Sequence, residues 1–124
     1  MINISNAINS VIYNTIACGF LAALTWMGLV WMLPDRPIGS GKAWVQGVSL
    51  VAIANILIWI LLMVSGLRLI PLWIVSFWVV NAAIAHFVFP LFEGIKIPTI
   101  WGVVVHPVAI AGMIVLLGGA TGFL

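Results

Sequence analysis

WVQGVSLVAIANILIWILLMVSG, residues 44–66, runs without one charged side chain. About 20 helical residues cross a hydrocarbon core roughly 30 Å thick, so this stretch is long enough to span a bilayer. Inside lipid the backbone must satisfy its own hydrogen bonds, which leaves helices and closed barrels. The run shows no period-two alternation, and a barrel strand needs it. It reads as a transmembrane helix.

The same reading extends to both sides. PDRPIGSGK (34–42), GLRLIP (66–71) and FEGIKIP (92–98) break the chain with charges, prolines and glycines. They leave four apolar runs, at about 11–33, 44–66, 70–92 and 98–123. The predicted fold is all-α: a single-domain integral membrane protein whose four transmembrane helices form an up-down bundle. Composition agrees. Of 124 residues, 65% are hydrophobic and 5% charged, with a mean hydropathy of +1.36. A soluble domain carries about 25% charged residues. Two acids and four basic residues cannot coat a water-exposed surface, so lipid is the main solvent.

The net charge of +2 comes from four scattered cations with no basic stripe, which excludes nucleic acid as a partner. The partners this composition fits are the lipid bilayer and other membrane subunits. Cys18 stands alone in an apolar run and reads as a small buried hydrophobe.

Prolines and polar residues refine the spans. Pro71 suits the first turn of the third helix, and Pro34, Pro37 and Pro90 sit at helix ends. Pro107 falls inside the fourth run, where it should bend the helix and release a carbonyl near Val103. Residues 1–10, MINISNAINS, are expected as an interfacial segment, with Asn9 or Ser10 capping the first helix. That helix lacks a basic leader and is too long for a signal-peptide core, so it reads as a span. The very short second break predicts a tight antiparallel pairing of helices two and three. Arg36, Lys42 and Lys96 lie in the first and third breaks, against Arg68 in the second. The positive-inside rule then puts those two loops in the cytoplasm and both termini outside, in the inner (cytoplasmic) membrane. Trp31, Trp44, Trp73 and Trp101 fall near helix ends, as an aromatic belt would. Trp26, Trp59 and Trp78 lie deeper and need packing or hydrogen-bonding roles.

Two ionisable residues lie within the helices, His86 and His106. Such groups are costly in lipid and usually face the bundle interior. Counted from the shared third break, they lie roughly 9 and 12 Å deep at 1.5 Å per residue. One turn earlier stand the small residues Ala82 and Gly102, which clear space beside each imidazole. That arrangement suits axial ligation of a flat macrocycle such as haem b or a (bacterio)chlorophyll, with His86 and His106 as metal-ligand candidates. Arg36, Lys42 and Lys96 are on the side where haem propionates would lie. Neighbouring helix axes 8–10 Å apart leave little room between them, so each histidine could serve a separate pigment. The plainer reading has the two imidazoles bonded to each other, to Asn81, or to freed carbonyls.

Asn55 and Asn81 should share the midplane, roughly 16 Å from one surface. They are expected to bond across helices two and three, or else to line a permeation path. Gly19 with Ala23, and Gly118 with Gly122, have the spacing of small-residue packing stripes. No hydrolytic triad, carboxylate pair or phosphate loop is present, and with Asp35 and Glu93 as the sole acids the chain is expected to have no catalytic activity of its own. The sequence favours a small subunit of an electron-transfer or light-harvesting membrane complex. The alternative is a homo-oligomeric channel or carrier lined by Asn and His.

Overall fold

The computed structural model describes residues 4–33, 38–66, 69–92, 94–97 and 100–120. Pro34, Asp35, Arg36, Pro37, Arg68, Glu93, Pro98 and Gly122, which carried sequence expectations, lie outside the described residues. Four helices carry the fold: α1 (Ile4–Trp31), α2 (Gly41–Ser65), α3 (Ile70–Ala83) and α4 (His106–Ala120). A π-helical turn, Ile84–Val88, and a 3₁₀ turn, Phe89–Leu91, extend α3. A second π-helical turn, Trp101–Val105, precedes α4. With these turns the membrane spans are Ile8–Trp31, Gly41–Ser65, Ile70–Leu91 and Trp101–Ala120. All four are long and apolar enough to cross a bilayer, and the chain is an integral membrane protein with an all-α four-helix bundle.

Local signals set the ends. Ser40 accepts a hydrogen bond from the Ala43 amide at 3.1 Å and caps α2. Gly66 closes the helix at φ 72°, its amide bonded to the Met63 carbonyl. A side chain there would be strained in the left-handed region, so glycine suits it. Pro71 occupies the first turn of α3, as expected. The start of α1 differs from the sequence reading, because the helix begins at Ile4 and Asn9 and Ser10 lie inside it rather than capping it.

Each helix packs on its sequence neighbours, and α4 closes the ring on α1. That is the up-down arrangement. Within the ring α2 and α3 pack least closely, so their pairing is looser than the short connection suggested. A tight turn fixes only one end of a helix pair. Small residues decide the closer packing between α1 and α2. A Cβ added at Gly19 would fall 2.5 Å from the Ile56 side chain, and one at Gly47 would overlap the Trp26 ring.

The first and third connections meet at one end of the bundle. The Gly39 amide donates to the Gly94 carbonyl at 2.8 Å, beside an antiparallel bridge between Ile38 and Ile95. The two connections therefore lie on the same side of the membrane.

Three layers make up the core. Near the paired connections, Trp26 packs edge-on to Trp44 at 5.9 Å and against Phe89 at 5.4 Å. Toward the opposite end, Trp59 meets Trp73 edge-on at 5.1 Å, and Trp73 leans on Phe77. Between them lies a polar layer of Asn55, Asn81 and His106, all buried. Trp73 is completely buried, so it belongs to the core and not to an interfacial belt. Trp31, 81% exposed, has the outward position a belt residue requires.

Candidate functional site

Asn55 and Asn81 form a closed pair. The Asn55 Nδ2 donates to Asn81 Oδ1 at 2.9 Å, and Asn81 Nδ2 returns a bond to Asn55 Oδ1 at 2.8 Å. The second hydrogen of each amide goes to its own helix, to the carbonyls of Val51 and Phe77 at 2.7 Å. Every donor of the pair is satisfied, and the two amides join α2 to α3 as the cross-helix reading expected. Cys18 joins from α1, its buried Sγ 3.7 Å from the Asn55 carbonyl.

The freed carbonyl expected from Pro107 is where the sequence put it. Trp78 on α3 donates its indole N–H to the Val103 carbonyl at 3.1 Å. Proline has no amide to offer the residue one turn back, and an indole from the neighbouring helix takes that role. This also gives Trp78 its hydrogen-bonding partner.

The two π-turns were not foreseen. Each ends two residues before a proline, Pro90 or Pro107, and each lies at or beside a histidine. A π-turn closes i→i+5 bonds, here Phe89 N–H to Ile84 O and His106 N–H to Trp101 O. Such turns are rare and gather at functional sites. The two turns touch each other across α3 and α4. A proline in each of two adjoining spans, Pro90 at the end of one and Pro107 inside the next, was the available signal in the sequence.

The histidines do not face each other. His106 is 2% exposed and points into the core, following Gly102 and preceding Ile110 on a stripe of four-residue spacing. His86 is exposed on the outer face of α3, edge-on to Phe87 at 4.7 Å. The expected inward pair at one level is therefore corrected. The reason is azimuthal. Trp73, Phe77, Asn81 and Ile84 form the buried face of α3, and His86, two residues past Ile84, falls about 200° away at 100° per residue. The π-turn then brings Phe89, five residues past Ile84, back to the interior.

Ala82 is half-buried beside this outer face. Gly102 is buried, and a Cβ added there would lie 3.1 Å from the Ala85 Cβ and 3.4 Å from Ile97. The room it clears is taken up by the close approach of α3. A cavity of about 10 Å³ remains beside His106, bordered by Trp26, Asn81, Gly102 and Ile110. Pockets for drug-sized ligands and cofactors run to several hundred Å³, so a macrocycle does not fit against His106. A cleft of about 640 Å³ opens where α3 ends, lined by Ala85, Phe89, Pro90, Ile95 and Lys96 among others. It adjoins the π-turn that carries His86. Among the described residues no three His, Cys, Asp or Glu side chains cluster as a metal site.

No family model, curated protein or solved structure matches the chain.

Proposed function

We propose that this protein is a small polytopic subunit of a larger membrane complex, of the electron-transfer or light-harvesting type. One observation carries the reading: His86 sits on the outward face of a membrane span. A polar ring facing acyl chains is costly, and a neighbouring subunit or a bound cofactor removes that cost. The described connections are short, so the residues available to meet a partner lie mainly within the bilayer.

In this reading His86 is the outward axial-ligand candidate for a tetrapyrrole such as haem b or a (bacterio)chlorophyll. Ala82, one turn earlier, leaves clearance for the macrocycle, and Lys96 at the adjoining cleft is placed to meet an acidic substituent. His106 serves the bundle interior instead. The complex resides in the inner membrane, with the paired first and third connections in the cytoplasm and both termini outside, which follows from Lys42 and Lys96.

The test is to purify the tagged chain from its native membrane by mild solubilisation, identify its companions and record an absorption spectrum. Co-migration with redox or pigment proteins is expected, together with a visible band that His86→Leu weakens or shifts. A colourless small homo-oligomer would overturn the proposal and favour a channel or carrier, with His86 at its subunit contacts.

A further inference from the structure

The cavity between the two π-turns brings together polar atoms that the protein does not pair. The Nε1 of Trp26 and both ring nitrogens of His106 are buried without a hydrogen-bonding partner in the protein. Trp26 is 1% exposed and His106 2%, and both border the same cavity of about 10 Å³. Asn81 borders it too. Its Oδ1 accepts one bond, from Asn55, and a carbonyl oxygen has a second lone pair to offer. Apolar cavities stay dry, whereas a polar one needs about 10–15 Å³ and two to four partners to hold a water. This cavity has the size of one molecule, and Trp26, Asn81 and His106 on its border carry polar atoms with hydrogen-bonding capacity to spare.

We propose that it is a binding site for a single water. The water accepts from the Trp26 indole N–H and donates to the Asn81 Oδ1 and to the unprotonated nitrogen of a neutral His106. Its three partners come from α1, α3 and α4, and the Asn81–Asn55 bond carries the connection to α2. One guest molecule thus links all four helices through hydrogen bonds. Gly102 lets Ala85 approach at the edge of this space, where an added Cβ would lie 3.1 Å from the Ala85 Cβ.

The test uses the full chain in lipid nanodiscs with ¹⁵N-labelled indoles, the Trp26 signal being assigned through Trp26→Phe. Magnetisation transfer from water to the Trp26 Nε1–H by direct dipolar contact is expected, and His106→Phe should abolish it by removing a partner and filling the space. The Trp101 indole N–H, whose nitrogen is buried but which does not border the cavity, should show no such transfer. A silent Trp26 signal in the wild type, or transfer undiminished in His106→Phe, overturns the proposal. If His106→Phe does not assemble, transfer from water to the wild-type His106 ring decides: its presence supports the site and its absence rejects it.

Discussion

Asn55 and Asn81 show how individual side chains hold this bundle together. Each is buried, and each gives one amide hydrogen to its own helix and one to the other. Replacing either by Leu strands its partner's polar atoms, at a cost of about 1–3 kcal/mol. The double variant Asn55→Leu/Asn81→Leu strands neither and should be less damaged than the two losses added together. Polar contacts between membrane helices average about 0.6 kcal/mol, so two reciprocal bonds predict a coupling on the order of 1 kcal/mol. Unfolding of the four species in mixed micelles with increasing dodecyl sulfate measures it, and simple additivity would sink the account. This pair was legible in the sequence because depth along two antiparallel helices can be counted from a shared end. The same count misled for His86. Depth is one coordinate and azimuth is another, and five residues separate Asn81 from His86. At 100° per residue an α-helix puts such a pair about 140° apart, so an inward Asn81 already implied an outward His86.

At the scale of elements, the two prolines shape the spans that meet in the polar layer. Pro107 leaves the Val103 carbonyl without a helical donor, and Trp78 supplies one from α3. Trp78→Phe should therefore cost about 1 kcal/mol, the typical net worth of a hydrogen bond. In a Pro107→Ala background the restored amide can serve Val103, and the same Trp78→Phe change should cost clearly less. Equal costs in both backgrounds would mean that the indole bond is unrelated to the proline. Helix contacts offer a second check. Alanine at Gly47 drives a methyl into the Trp26 ring, and overpacking of this kind costs about 1–3 kcal/mol. Alanine at Gly112, where nothing lies within 4 Å, should be neutral or stabilising by roughly 0.5–1 kcal/mol, since glycine is a poor helix former. Thermal denaturation of the two variants in one detergent separates them. The carbonyl freed by Pro107 was readable because proline chemistry is local. The widened turns were not, since an i→i+5 closure changes neither composition nor hydropathy and depends on how α3 and α4 meet.

For the whole molecule, the decisive relation is that the first and third connections join at one end, through Gly39 and Gly94 and the Ile38–Ile95 bridge. An even-handed four-span bundle requires this, and it collects the exposed Lys42 and Lys96 on one membrane face. Chemical access can report it. The native thiol is silent because Cys18 is fully buried, so single cysteines can be added to the otherwise natural chain. Lys42→Cys and Lys96→Cys should react together with a membrane-impermeant maleimide from one side of sealed vesicles. Leu69→Cys, in the second connection and 64% exposed, should react only from the other side. If the positive-inside rule governs the chain, the lysine positions label in inside-out vesicles and Leu69→Cys in right-side-out ones. Reversal of both would change the orientation and leave the bundle standing. Labelling of Lys42→Cys and Lys96→Cys from opposite sides would remove the bundle itself, since no arrangement with Gly39 bonded to Gly94 can separate them by a bilayer.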